Sequence, residues 1–281
     1  MVKIVANSAC DLSRELAEQY GLTIVPDMVV FSPEEQYRNA LDLEPEQFYR
    51  RLPSCRKLPT TAHPNLDQYM QAFASVGNCE EILCIAPTGK MSGGYSTACA
   101  ARELWMEQSQ TPQVTVYDSQ QISFGMGILV QEACRLAREG LCAGEIVNRL
   151  EVLRRKAGVY FAMESLEYAQ KGGRVGAIRV LAADLLKVKP ILTFRDGLVR
   201  DIGIVRGYRN AVQRVVSLYK EKARFGGEVF LFHADRESLA QVVRQQLLAI
   251  DPEAKIHIGW VGAVIGVYTG TGCLGMAFTE K

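Results

Sequence analysis

The chain has 281 residues, of which 48% are hydrophobic and 22% charged, and its formal net charge is +1. That is enough chain for one large domain or two, with the composition of a soluble globular protein. The balanced charge, with no basic run and no arginine–aromatic interleaving, gives no footing for nucleic acid or an anionic membrane surface.

The first residues, Met1-Val2-Lys3-Ile4-Val5-Ala6, enter a strand pattern directly, without the charged-then-apolar layout of a signal peptide. No uninterrupted apolar stretch is long enough to span a bilayer. The cysteines Cys10, Cys55, Cys79, Cys84, Cys99, Cys134, Cys142 and Cys273 are scattered, form no CxxC pair and show no zinc spacing with histidine. A cytoplasmic, reducing setting and no bound metal are expected.

A short strand over Val2–Ala6 leads into Asn7-Ser8-Ala9-Cys10-Asp11-Leu12-Ser13 and a helix from Ser13 to Tyr20. Ser8 and Asp11 either cap that helix or serve a ligand at the carboxyl end of the strand. Ile24–Phe31 reads as a second strand with Pro26 at an edge or bulge, and Glu44–Leu52 as a helix. Two prolines make Lys57–Asn65 a loop, in which Thr60 and Thr61 either present hydroxyls or cap a turn. His63 has no serine or aspartate partner at a telling spacing and reads as a loop residue. A helix follows from Asn65 to Ala74, introduced by Pro64.

Glu81–Ala86 is an apolar strand, and Gly94–Met106 an alanine-rich helix. Ser92, Gly93 and Gly94 sit where the loop feeds that helix, whose first amides attract anions. Val114–Ser119 is a strand ending in Asp118-Ser119. Gly125–Glu139 and Glu145–Lys156 are helices. This alternation predicts a mostly parallel sheet flanked by helices in an N-terminal domain, residues 1–157.

The rest, residues 158–281, changes style and predicts a C-terminal domain with a mixed or antiparallel sheet and helices. Val159–Met163 is a strand and Leu166–Gln170 a short helix stopped by Gly172-Gly173. A helix is expected over Gly176–Leu186. Lys187–Phe194 and Leu198–Arg206 form a hairpin about Asp196-Gly197. Helices at Asn210–Arg224 and Ser238–Ala249 alternate with strands at Val229–His233 and Lys255–Val261. Val264–Phe278 reads as a glycine-rich loop with apolar flanks.

Nucleotide motifs do not fit. Pro87-Thr88-Gly89-Lys90-Met91-Ser92 lacks the first glycine of a P-loop, and Gly270-Thr271-Gly272-Cys273-Leu274-Gly275 has neither a following helix nor an acid for a ribose. Ser92 is not in GxSxG, and no nucleophile–base pair or carboxylate pair is evident. No catalytic residue is assigned. Hydroxyl- and glycine-rich loops at strand ends, above an apolar interior, suit a binding module better than an enzyme.

Taken together these loops resemble the DegV family of bacterial fatty-acid-binding proteins. Asn7-Ser8-Ala9-Cys10-Asp11-Leu12 is similar to its opening DSxxDL, with Asn7 for the first Asp, and Pro59–Pro64 to its TSQPS segment without the Gln. Met91–Ala98 resembles LSGTYxxA; Tyr117-Asp118-Ser119 with Gly125-Met126-Gly127 resembles DS…SxGxG. Leu166–Arg174 is similar to LxxLxKGGRI, Lys187–Leu192 to IKPIL, and Gly266–Gly272 to GTHTGPG.

The resemblance implies an α/β protein of two domains with a long-chain fatty acid, such as palmitate, stearate or oleate, in a tunnel between them. It places the carboxylate on Thr60 or Thr61, Ser92 and the N–H of Gly93. It puts Arg174, Arg206 and Tyr268 at the head-group entrance or facing a partner. It implies that the protein is not itself catalytic and has no cofactor. The bound acid would be presented to a separate fatty acid kinase for phospholipid synthesis, with peripheral membrane contact for lipid exchange. The family histidine is Tyr268 here and its proline Thr271, which bears on the kinase step; His63, in the head-group loop, is a substitute to consider. The alternative is an enzyme or substrate-holding domain for a small hydroxylated or phosphorylated compound, related in fold to dihydroxyacetone kinase. A ligand-gated regulator is a third reading.

Overall fold

The computed structural model describes residues 1–109, 111–175, 178 and 188–281. The chain is a mixed α/β protein. Its strands are β1 (Val2–Asn7), β2 (Thr23–Val25), β3 (Met28–Ser32), β4 (Glu35–Arg38), β5 (Thr60–Ala62), β6 (Glu81–Ala86), β7 (Gln113–Asp118), β8 (Ala157–Ala162), β9 (Val188–Arg195), β10 (Leu198–Arg206), β11 (Glu228–His233), β12 (Lys255–Trp260) and β13 (Leu274–Thr279). Its helices are α1 (Arg14–Tyr20), α2 (Pro45–Arg51), α3 (Leu66–Ser75), α4 (Gly94–Gln108), α5 (Ser123–Arg138), α6 (Ala143–Lys156), α7 (Glu167–Lys171), α8 (Tyr208–Lys222), α9 (Glu237–Ile250) and α10 (Ala263–Thr269).

The first sheet is all parallel in the order β2-β1-β6-β7. Strands buried on both faces read as continuous apolar runs, and β6, Glu-Ile-Leu-Cys-Ile-Ala, is such a run. Alternation still sorts its residues. Ile82 and Cys84 meet Tyr69, Phe73 and Ala98 of α3 and α4, whereas Leu83 and Ile85 join the main core with α5.

The second sheet is mixed, in the order β10-β9-β8-β13-β11-β12. One face, with Tyr160, Leu231 and Phe278, is covered by Val212, Val215 and Tyr219 of α8 and by Val243 and Leu247 of α9. The other face, with Val159, Phe161 and Phe232, belongs to the main core. Helix α5 joins that core from the first half. Phe124 stacks on Phe232 with centroids 5.3 Å apart and on Phe230 at 5.6 Å. Gly127 is required where α5 crosses the Ser8–Cys10 turn, because a Cβ there would lie 2.9 Å from the Cys10 carbonyl oxygen.

Three expectations need correction. Ile24–Phe31 is not one strand: β2 pairs with β1, while β3 lies antiparallel between β4 and β5 in a separate three-stranded sheet. Pro26 has no N–H to donate, and the Asp27 amide goes to the Ser8 hydroxyl at 2.9 Å, so no ladder runs through the junction. The loop over Lys57–Asn65 contains strand β5, with Thr61 opposite Val29. Val264–Phe278 is not a loop: α10 fills its first half and β13, paired on both edges, its last. Only the turn between them keeps left-handed glycines, Gly270 (φ 64) and Gly272 (φ 83). The helix expected at Gly176–Leu186 lies outside the described residues, apart from Ile178.

Candidate functional site

The main core is not filled. A cavity of about 1100 Å³, counting its open mouth, lies against the α5-facing side of the second sheet. Small-molecule sites commonly span about 300–1,000 Å³. Val159, Phe161, Phe194 and Phe232 supply one wall, Pro87, Met91 and Ile122 another, and Val264 and Ile265 of α10 a third.

Against this apolar wall a small set of polar groups is gathered by contact. Strand β5 carries Thr61, whose hydroxyl meets the Tyr268 hydroxyl of α10 at 2.5 Å. The Arg174 guanidinium lies over the Tyr268 ring, 5.3 Å from its centroid, and Arg174 is exposed. Ser92 and Gly93 stand at the start of α4, with Gly93 as N-cap and the Ser92 hydroxyl accepting the Gly94 amide at 3.1 Å. The His63 ring lies directly on Gly93: a Cβ at that position would be 2.5 Å from its Nε2. Thr61, His63, Ser92, Gly93, Arg174 and Tyr268 all line the cavity.

The loop before α4 is held from below. The buried Thr88 hydroxyl donates to the Gly197 carbonyl at 3.0 Å, and Lys90 Nζ to the Asp196 carbonyl at 2.8 Å, so the turn of the β9–β10 hairpin fixes the approach to Ser92.

One acid is on the wall. Asp27 is buried, accepts the Ser8 hydroxyl at 2.7 Å and the Asn7 side-chain amide at 3.3 Å, and lines the cavity. Burial pushes its carboxyl up to about 6, against the pull of the Ser8 and Asn7 hydrogen bonds and of the nearby His63. Asn39 extends the network. Its side-chain amide donates to the Ser8 hydroxyl at 3.2 Å and its Oδ1 accepts the Val264 amide at 3.3 Å. Ser123, also on the wall, donates to Asp11 Oδ2 at 2.6 Å. Burial drives the Asp11 carboxyl up to about 7 and pushes the Cys273 thiol upward, so it stays protonated.

Of the residues singled out in the sequence, Thr61, Ser92, Gly93, Arg174 and Tyr268 come together at the cavity. Thr60, exposed one step along β5, does not line it, because successive strand residues face opposite ways. Arg206, exposed at the end of β10, does not line it either. Asp27 is on the wall although the sequence gave it no role, its one signal being an acid following proline inside an apolar run; His63, considered as a substitute in the head-group loop, is on the wall too. Among the described residues no group of three His, Cys, Asp or Glu side chains is placed to hold a metal ion.

A sequence profile described as "Uncharacterised protein, DegV family" matches residues 1–281. The chain belongs to the DegV family. A DegV domain-containing protein of Halalkalibacterium halodurans is 31% identical, over 100% of this chain and 99% of the relative. Among solved structures, DegV of Bacillus subtilis, described as a fatty acid binding protein, superposes with a TM-score of 0.88 at 28% identity, covering 100% of this chain and 99% of that one. A stearic acid-binding protein from Eubacterium ventriosum gives a TM-score of 0.88 at 27% identity, with the same coverage. The mixed α/β architecture is thus that of DegV proteins, several of which bind fatty acids.

Proposed function

We infer that this DegV protein binds a long-chain fatty acid, of the palmitate, stearate or oleate class, in the cavity. The observation that carries this is the pairing of one long apolar wall with a compact set of hydroxyl and amide donors. Each methylene buried contributes about 0.8 kcal/mol, so the wall supplies affinity and the donors need only orient the head. The carboxylate is assigned to the Thr61 and Ser92 hydroxyls and the Gly93 amide at the start of α4, where amides lack intrahelical partners. Arg174 and Tyr268 are assigned to the mouth. Thr60 is left out of the carboxylate site.

The finer reading is that the protein is a non-catalytic carrier that presents the carboxylate to a separate fatty acid kinase, with exposed Arg174 and Arg206 facing that partner. It follows from the motif resemblance, in which Tyr268 stands in place of the family histidine. A division into units 1–157 and 158–281 belongs to the same reading, supported by the chain entering the second sheet there, with β8 following α6 directly at Ala157. Among the described residues no helix is long and apolar enough to cross a membrane, which fits a carrier that meets membranes only peripherally.

Native mass spectrometry of the freshly purified protein, with labelled palmitate and oleate binding, tests the reading. A bound C16–C18 acid is expected, and the Thr61→Ala/Ser92→Ala variant should lose at least about tenfold in affinity, two hydrogen bonds to a charged group being worth about 1.5–3 kcal/mol each. An empty protein that takes up neither acid refutes it. Unchanged affinity in the double variant refutes the head-group assignment.

A further inference from the structure

With a fatty acid in place, two carboxyl groups would share one part of this cavity: the ligand's and that of Asp27, which lines the wall close to His63, the ring that lies on Gly93. Asp27 is joined to the head-group turn. Asn7 donates to Asp27, and Tyr69, whose hydroxyl donates to the Gly94 carbonyl at 3.1 Å, is also within reach of Asn7. A Cβ at Gly94 would find the Ser92 hydroxyl at 3.3 Å and the Tyr69 hydroxyl at 3.4 Å. The buried acid, Ser92 and the first turn of α4 thus form one connected cluster. Where the DSxxDL pattern has its first acid this chain has Asn7, and the carboxyl in contact with that position is Asp27.

We propose that Asp27 makes fatty acid binding proton-linked: the ligand carboxylate enters together with one proton, which Asp27 and the ligand then share. The inference rests on the fatty acid reading of the site and gives it a form of regulation. Two carboxylates held close in a site with little water cannot both ionise, and one proton affinity rises strongly. The Ser8 hydroxyl and the Asn7 amide hold the Asp27 carboxyl in place, so it cannot swing away from an incoming anion. Among the described residues, the other titratable or charged groups facing the cluster are His63 from the segment after β5, Tyr69 from α3, Asp11 from the turn after β1, Arg174 after α7, Tyr268 of α10 and the thiols of Cys84, Cys99 and Cys273. His63 and Arg174 offset part of the repulsion at the mouth, and Asp11 adds to it. Above the pH at which free Asp27 loses its proton, each ligand that binds must take one proton from solvent, so affinity falls as pH rises. Release is favoured where the local pH is higher.

The test uses the full chain and cis-parinaric acid below its aggregation limit, with the dissociation constant measured from pH 5.5 to 8.5. Isothermal titration with palmitate at pH 7, in two buffers of different ionisation enthalpy, counts protons taken up. Wild type should lose at least about tenfold in affinity between pH 6 and 8 and take up more than half a proton at pH 7. Asp27→Asn should flatten the profile to within about twofold and bind more tightly than wild type at pH 8. His63→Gln should keep the fall with pH. If Asp27→Asn retains the wild-type profile, or if wild type takes up no proton at pH 7, the proposal is overturned while fatty acid binding stands. The proton count on wild type decides even if Asp27→Asn does not fold. If wild type binds neither acid at any pH, both this proposal and the reading of the site fall.

Discussion

The hydroxyls of Thr61 and Tyr268 meet at 2.5 Å, and that contact joins the small antiparallel sheet to the helix carrying the C-terminal motif. Both residues line the cavity, and the Tyr268 ring lies under the Arg174 guanidinium. Tyr268→Phe keeps the ring and removes the hydrogen bond. A bond of this kind is worth about 1 kcal/mol net, so fatty acid affinity should drop about fivefold and Tm by about 2–4 °C for a chain of this size. Fluorescence binding and calorimetry check both; a variant with tighter binding would show that the Tyr268 hydroxyl competes with the ligand for Thr61.

Gly93 is a site of close approach rather than of backbone freedom. Its φ of −70° suits any residue, yet a Cβ would sit 2.5 Å from His63 Nε2 and 2.7 Å from its Cδ2. The ring is on an exposed residue and can move aside, so Gly93→Ala should fold with Tm within about 2 °C of wild type. The displaced imidazole changes the head-group end, and affinity should fall by about threefold to tenfold. In a His63→Ala background the same change should cost far less, which a double-mutant cycle measures directly. Additive losses would show that the two residues act separately.

Much of this was legible in advance, and the failures have physical causes. Strands β1 and β6, the hairpin of β9 and β10, and the start of α4 follow from apolar runs, Asp-Gly turn chemistry and cap residues, all of them local signals. The break at Pro26-Asp27 decides which sheet β3 joins, and that is set by a distant partner, the Ser8 hydroxyl. The glycine-rich C-terminal stretch resembles a loop because its glycines serve packing: at Gly275 a Cβ would lie 2.6 Å from the Phe232 ring. In the site, Ser92 and Gly93 announced themselves as a helix start. Asp27 and His63 reach the same wall only because β3 pairs with β5, and no local pattern encodes that pairing.

Asp11 gives the fold a pH dependence of its own. Its φ of 54° is left-handed, its Oδ1 is buried beside Gly262, and burial raises its carboxyl from an ordinary value near 4 to about 7. The folded state therefore binds more protons than the unfolded chain between about pH 4 and 7, so stability declines as pH rises through that window. Asp11→Asn tolerates the left-handed backbone and can still accept the Ser123 hydroxyl. It should match wild type near pH 4 and exceed it at pH 8, by on the order of 4 kcal/mol. Urea unfolding at the two pH values checks the sign; a variant less stable than wild type at pH 8 would show that the ionised carboxylate is instead stabilised in the fold.

Phe124 carries the last prediction, because it links the two halves through their common core. It is buried, stacks on Phe232 with planes 8° apart, and packs on Phe230 with planes 28° apart. A Cβ at Gly259 of β12 would lie 2.6 Å from its ring, so the strand backbone is pressed against it. Phe124→Ala removes a large apolar side chain and leaves a cavity that α5, held between two sheets, cannot close. The cost should be about 3–5 kcal/mol, while Phe124→Leu, which refills most of the volume, should cost less. Because Phe232 also lines the ligand cavity, a loosened ring there lets the acyl chain reorder, and Phe124→Ala should raise the dissociation constant although Phe124 does not line the cavity. Chemical denaturation gives the first number and acid binding the second. Loss of stability with unchanged affinity would show that the stack supports the fold alone.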